Sequence, residues 1–158
     1  DAGAYIRDTI KVVSHVGAPP EKLWPYKVSE FATGPSQEAT NEALKHPAVK
    51  YMRVNRTIAD LRACLAAGDL ITFGFTVYDS FESAQVARTG IVPVPLETEE
   101  LRGGHAVAMV GYNHRQKYFI CRNSWGPGWG KKGYFFLPYE FVTNPNLSDD
   151  FWTIQLVR

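Results

Sequence analysis

The chain has 158 residues, 45% of them hydrophobic and 13% aromatic, which is enough apolar material for one globular core and excludes a disordered tail. Seventeen basic and sixteen acidic residues give a formal net charge of +1, which argues against nucleic acid or an anionic membrane as the main partner. No apolar stretch approaches the roughly 20 residues of a membrane-spanning helix, and no signal segment opens the chain.

The first segment has a helical repeat. Ile6, Ile10 and Val13 recur at i, i+4 and i+7, which predicts an amphipathic helix, and Gly17 supplies its stop. Residues 24–35 are rich in Pro, Gly and Ser and show no sustained period. We therefore expect a loop there that joins two lobes.

A strand, a helix and a second strand follow. Residues 49–54 predict a strand, and Thr57 with Asp60 three positions later resembles a capping box that starts a helix ending at Gly68. Apolar and polar residues then alternate over 71–77, which predicts a strand with one buried face. The apolar face of the helix would be formed by Ile58, Leu61, Cys64 and Leu65.

The second half of the chain has mainly β patterns. Residues 106–112 and 118–122 are apolar runs separated by a polar segment, which predicts a β-hairpin. Residues 134–137 and 151–157 predict further strands, while residues 90–102, with two prolines and three glutamates, predict a loop. Together the patterns predict an α+β fold with two helices and five or six strands.

The hairpin brings two polar residues together. If its turn is centred on His114, antiparallel pairing places residues whose numbers sum to 228 opposite each other, and His105 with Asn123 is such a pair. A register shift of a residue or two would still leave them neighbours. Without such a partner, His105 would be interpreted as a structural histidine at a strand end.

A histidine oriented by a neutral amide suits a thiol nucleophile. The amide oxygen accepts from one imidazole nitrogen and fixes the ring, while the other nitrogen exchanges a proton with the sulfur. The two cysteines of the chain do not fit that role, because Cys64 falls on an apolar helix face and Cys121 inside a strand. Neither cysteine has zinc-site spacing, so no metal or cofactor is predicted.

Two sequence blocks surround the histidine and the asparagine. The first is Gly103-Gly104-His105-Ala106-Val107 with Val110-Gly111-Tyr112, and the second is Arg122-Asn123-Ser124-Trp125-Gly126-Pro127-Gly128-Trp129-Gly130 with Gly133-Tyr134. In this order and without internal gaps, they resemble the His and Asn blocks of papain-like cysteine peptidases. The Gly90 to Leu96 loop and the Leu137-Pro138-Tyr139 segment resemble bacterial members most.

The resemblance implies a papain-like fold and a peptide or protein substrate. Residues 1–48 would form the remainder of the helical left lobe and the linker, and residues 49–158 the antiparallel β-barrel of the right lobe. His105 would be the general base and acid, and Asn123 its orienter. The resemblance favours a secreted or extracytoplasmic location, whereas the residues themselves leave the compartment open.

The resemblance also implies substrate-binding roles for four further residues. Gly3 would pair through its backbone with an extended substrate, and Gly104 and Ala106 would line the pocket for the side chain that precedes the scissile residue. Trp125 would shield the hydrogen bond of the catalytic pair and form the wall on the leaving-group side.

The family's nucleophile segment is not found in this sequence. In papain-like peptidases a cysteine begins a long helix and a preceding glutamine helps to build the oxyanion hole, and no such motif occurs here. We therefore expect the chain to be the C-terminal part of a longer peptidase, inactive alone, with the missing N-terminal segment or another chain across the cleft. The alternative is a non-catalytic pseudo-peptidase or binding module of the same fold. A serine hydrolase is disfavoured because the chain has no Gly-x-Ser-x-Gly motif.

Overall fold

A computed structural model describes residues 3–46 and 50–155. These residues contain five α-helices, α1 Ile6–His15, α2 Gln37–Ala43, α3 Ile58–Ala66, α4 Ala84–Thr89 and α5 Tyr139–Thr143, and a short 3₁₀ helix at Val28–Glu30. The strands are β1 Lys50–Arg53, β2 Ile71–Tyr78, β3 Leu101–Asn113, β4 Tyr118–Arg122, β5 Tyr134–Pro138 and β6 Ser148–Gln155. This arrangement confirms the predicted α+β class. Within the described residues, no helix is long and apolar enough to cross a membrane.

The chain forms two compact units. The first comprises Asp1–Tyr51 with Ile154–Arg158, and the second comprises Met52–Thr153. The predicted boundary between residues 48 and 49 lies outside the described residues. The proposed lobe assignment therefore stays a prediction.

In the first unit, α1 begins and ends as its periodicity predicts, and Ile10 is buried on its apolar side. The unit also contains a helix that the sequence analysis missed. The Ser36 hydroxyl caps α2 by accepting a hydrogen bond from the backbone of Ala39 at 3.1 Å, and Ala39 and Ala43 are buried. A seven-residue helix that is marked only by a serine cap gives a weak sequence pattern.

Strands β2, β3, β4 and β5 of the second unit belong to a six-stranded sheet. The strand order is β1-β6-β2-β3-β4-β5, and the pairs β2 with β3, β2 with β6, β3 with β4 and β4 with β5 are antiparallel. The alternation predicted for residues 71–77 is confirmed, since every second residue of β2 is buried. Those residues belong to one core cluster together with buried residues of α3, α4, α5, β3, β4, β5 and β6.

The cap of α3 forms as the sequence predicts. The Thr57 hydroxyl accepts a hydrogen bond from the backbone of Asp60 at 3.1 Å and donates one to the Asp60 carboxylate at 2.8 Å. Leu61 on the apolar face is fully buried and Cys64 packs against the same core. The helix therefore fixes one wall of the core behind β2 and β3.

The hairpin of β3 and β4 forms, but the predicted register was wrong. Met109 lies opposite Cys121 and Tyr112 opposite Phe119, pairs whose numbers sum to 230 and 231 rather than 228. The register also shifts once within the hairpin, between Met109 and Gly111.

The displacement has a local cause in the turn. Asn113 ends β3, and its side-chain oxygen accepts a hydrogen bond from the backbone of Gln116 at 3.0 Å. This bond between the side chain and the backbone starts the reversal at Asn113 and centres it after His114. The pairing of β3 with β4 therefore ends at Ala108 and Arg122, before it reaches His105, and Asn123 meets the histidine through its side chain instead.

Candidate active site

His105 and Asn123 are in direct contact. Nε2 of His105 lies 2.9 Å from Oδ1 of Asn123. His105 is partly buried on β3, and Asn123, only 6% exposed, follows the last residue of β4. The backbone N–H of Asn123 donates to the carbonyl of Gly133 at 2.9 Å, so the loop before β5 fixes the position of the amide.

A second hydrogen bond decides which nitrogen of His105 carries the proton. The backbone N–H of Ser124 donates to Oδ1 of Asn123 at 2.8 Å, and a backbone N–H has no acceptor lone pair. The atom that faces it is therefore the amide oxygen. Because that oxygen only accepts, Nε2 of His105 must donate, and in the neutral ring Nδ1 carries the free lone pair.

Aromatic rings enclose the imidazole. Trp125 stacks on it with centroids 5.2 Å apart and planes at 24°, and Phe75 meets it edge-on at 5.7 Å. Phe81 lies under both residues of the stack, 6.4 Å from His105 and 5.6 Å from Trp125. Such ring contacts restrict rotation of the imidazole.

The sequence did not predict that Phe75 and Phe81 contact His105. Phe75 was recognised as an inward residue of β2, and strand pairing opposite His105 explains its contact. Phe81 follows the end of β2 in a turn and carries no periodic signal. The Trp125 ring, 45% exposed, also contacts Trp129 edge-on at 5.1 Å.

Neither cysteine has the environment of a nucleophile. Cys121 is fully buried, pairs with Met109 and Phe135, and burial raises the pKa of its thiol far above the ordinary value. Burial also raises the pKa of the Cys64 thiol on α3. Reactive thiols need the opposite, an electropositive setting that lowers the pKa.

The residues expected to bind substrate lie in two parts of the chain. Gly104 and Ala106 flank His105 on β3 and are exposed, and Trp125 stacks on its ring. Gly3 is exposed and belongs to the first unit, whereas the other three belong to the second. The structure thus brings Gly104, Ala106 and Trp125 together around His105.

A cavity of about 740 Å³ opens beside Asn123 in the second unit. Ala106 and Ala108, which alternate with the buried Val107 and Met109, line it from β3. Its remaining lining residues are Thr72, Val107, Arg122, Asn123, Ser124, Gly126, Pro127, Lys132, Gly133 and Tyr134. Across residues 3–46 and 50–155, no cluster of three metal-ligating side chains occurs.

Comparison with known proteins identifies relatives of the whole chain. The family model described as papain family cysteine protease matches residues 2–147. An uncharacterized peptidase C1-like protein of Acanthamoeba polyphaga mimivirus is 43% identical over 99% of this chain and 53% of its own length. A cathepsin B-like protein of Giardia intestinalis is 30% identical over 84% of this chain and 46% of its own length.

Among solved structures, xylellain, a cysteine protease from Xylella fastidiosa, superposes with a TM-score of 0.94 and 40% identity. The match covers all of this chain and 63% of that protein. The chain therefore spans about half the length of the curated relatives it matches, and somewhat more of this solved structure.

Proposed function

Because the chain belongs to the papain family of cysteine proteases, we propose that His105 and Asn123 are the base and the orienter of a cysteine-type peptidase. The observation that carries the proposal is the 2.9 Å bond between Nε2 of His105 and Oδ1 of Asn123, which leaves Nδ1 for a thiol. A peptide or protein substrate follows from the family.

In the proposed reaction, Nδ1 of His105 takes the proton of a cysteine thiol, and the thiolate attacks the carbonyl carbon of the scissile bond. The imidazolium then returns its proton to the leaving amine as the thioester forms. Water, deprotonated by the same nitrogen, hydrolyses the thioester and regenerates the thiol. Asn123 keeps the ring aligned throughout, because its oxygen remains an acceptor in both protonation states of His105.

The nucleophile is proposed to come from sequence outside these 158 residues. Support comes from the chain itself, since burial raises the pKa of both Cys64 and Cys121. No hydrogen bond from a described residue is made to Nδ1 of His105, which leaves that nitrogen free to receive a thiol. The chain alone is accordingly proposed to be inactive, as is expected when the oxyanion glutamine and the cysteine are supplied elsewhere.

The substrate-binding roles are part of the same proposal. Gly104 and Ala106 would line the pocket for the side chain before the scissile residue, which is supported by their exposure on either side of His105. Trp125 would form the wall on the leaving-group side. Gly3 would pair with the substrate backbone.

The proposal is tested by comparing the peptidase activity of the isolated chain with that of the chain joined to the expected N-terminal segment. The isolated chain should neither cleave fluorogenic peptides nor be labelled by an epoxide that requires an activated thiol. Joined to the upstream sequence of its parent protein, or mixed with it in trans, it should gain peptidase activity that His105→Ala abolishes. His114→Ala is the matched control, because that histidine is exposed at the hairpin turn.

Two results would contradict the proposal. Active-site labelling of the isolated chain that disappears with Cys64→Ala or Cys121→Ala would show that the nucleophile lies within it. An upstream sequence without a cysteine in a helix-starting context would favour a non-catalytic relative.

A further inference from the structure

The strand end that carries His105 has a strand neighbour on only one side. Gly103 and His105 lie opposite Val77 and Phe75 of β2. Among the described residues, pairing of β3 with β4 begins only at Ala108. Strand ends with few backbone partners open more readily than strand centres. Something beyond the sheet ladder must therefore limit the motion of this segment.

A carboxylate ties the preceding loop to the end of β2. One oxygen of Glu99 accepts a hydrogen bond from the backbone of Leu96 at 2.9 Å, and the other accepts from the backbone of Ser80 at 2.9 Å. Hydrogen bonds from the backbone of Leu96 and from Ser80 lower the pKa of Glu99, so it is ionised at neutral pH. Each bond is therefore charge-assisted.

An ion pair secures the neighbouring residues. Arg102 Nε donates to the carboxylate of Asp79, and the backbone N–H of Glu100 donates to the same carboxylate at 3.4 Å. Arg102 is also the extra residue of a β-bulge, because Val77 pairs with Gly103 while Tyr78 pairs with Leu101. Bulges redirect strands and occur often beside active sites.

The contact between Glu99 and Ser80 also affects Phe81, whose ring packs near His105. Ser80, held by Glu99, is followed directly by Phe81, which is 2% exposed. The ring of Phe81 lies 6.4 Å from His105 and 5.6 Å from Trp125. The loop contacts therefore restrain both the strand that carries His105 and a ring that it rests on.

We propose that Glu99 and Asp79 are positioning residues that hold His105 in its bond with Asn123. The effect of Glu99 and Asp79 on catalysis rests on the proposed function, in which His105 is the base. Glu99 contributes most to the positioning of His105, because its one carboxylate accepts hydrogen bonds from two backbone N–H groups. The pair of Asp79 with Arg102 is close to half exposed and contributes less.

The test measures the proton on Nε2 of His105 by NMR in the 158-residue chain labelled with ¹⁵N-histidine. Glu99→Ala should speed exchange of this proton with water about tenfold, the effect of losing hydrogen bonds to a charged group. Glu99→Gln should have an intermediate effect, because its single amide oxygen replaces only one of two acceptors. Arg102→Ala should speed exchange by about two- to fivefold, the range for a surface ion pair.

Arg53→Ala is the matched control. It breaks another exposed ion pair of the second unit, between Arg53 and Asp149 at 3.7 Å, and should leave the His105 proton unchanged. Urea midpoints measured in parallel separate local opening from global unfolding. Equal exchange rates in Glu99→Ala and the unmodified chain, or equal acceleration in Arg53→Ala, would overturn the proposal.

This readout needs no turnover, so its failure refutes the positioning role and leaves the proposed function standing. In the reconstituted enzyme, Glu99→Ala should lower kcat more than it raises KM, because the alignment of the base matters in the chemical step. Absence of any activity there would instead refute the proposed function.

Discussion

Two glycines that follow helices give a matched test of the packing around the site. Gly68 follows α3 with φ +91°, and Gly90 follows α4 with φ +73°. Alanine in either left-handed position costs about 1–2 kcal/mol. A methyl group at Gly68 meets nothing within 4 Å, whereas at Gly90 it would lie 2.6 Å from the carbonyl oxygen of Tyr134 and 3.2 Å from Cα of Phe135.

The contact at Gly90 adds a second cost. Backbone cannot turn aside as a side chain can, so the segment at Tyr134 must shift, and overpacking of this kind costs about 1–3 kcal/mol. We expect Gly68→Ala to lower the free energy of unfolding by about 1–2 kcal/mol. Gly90→Ala should lower it by about 2–5 kcal/mol, the sum of the strain and contact costs.

Gly90→Ala should also disturb the contact between His105 and Asn123. The carbonyl of Gly133, just before Tyr134, accepts the backbone N–H of Asn123 at 2.9 Å. A shift of this segment therefore displaces the amide that holds His105. Gly90→Ala should therefore speed exchange of the Nε2 proton of His105 with water, whereas Gly68→Ala should leave this exchange unchanged.

Urea denaturation of both variants and the unmodified chain measures the first effect, and NMR of the imidazole proton measures the second. Equal destabilisation by the two substitutions would refute the reasoning. So would a Gly90→Ala chain that is less stable but has an unchanged His105 signal, because the link through Gly133 would then be absent.

Three further predictions concern single groups. Asn123→Ala removes the acceptor of two hydrogen bonds and should lower the free energy of unfolding, measured in urea, by about 1–3 kcal/mol and speed exchange of the His105 Nε2 proton. Burial raises the pKa of the Cys121 thiol, so the unfolded chain loses the thiol proton before the folded chain does as the pH rises above about 8.5. The free energy of unfolding should therefore fall with rising pH in this range. Cys121→Ala should make this pH dependence weaker. Hydrogen bonds from the backbone of Leu96 and from Ser80 lower the pKa of Glu99, so its contribution should be complete above about pH 4.3 and lost as the pH falls further, which unfolding at pH 3–6 of the chain and of Glu99→Gln would measure.

Elements with a strong repeat or cap could be predicted from the sequence. The Thr57 cap and the alternation of β2 each combine two agreeing signals, and both formed. The helices α2, α4 and α5 were missed because none exceeds seven residues, too short for a hydrophobic period to stand out. Of these, α4 carried a usable signal, with Ser83 as its cap and Gly90 after its end.

The sequence predicted that His105 and Asn123 are neighbours, but it did not predict the strand register that brings them together. The neighbourhood of His105 and Asn123 was expected from a hairpin with its turn centred on His114, yet the turn that begins at Asn113 moves the register. Their contact survives because Asn123 leaves the strand and is held by Gly133. Such a tertiary bond has no counterpart in local sequence, which is also why Phe81 was missed.

The structure also explains why a neutral amide suits the position of Asn123. Its oxygen accepts from both Ser124 and His105, while Nδ2 is buried and has no partner among the described residues. An aspartate would keep the two accepted bonds but would place a second, charged oxygen where that amide nitrogen lies, with no donor to meet it. Either side chain would leave one buried polar atom without a partner, at a cost of about 1–3 kcal/mol, but an aspartate would in addition bring a charge into a buried position. The fold therefore tolerates asparagine at this position better than aspartate, and the imidazole is oriented without a carboxylate.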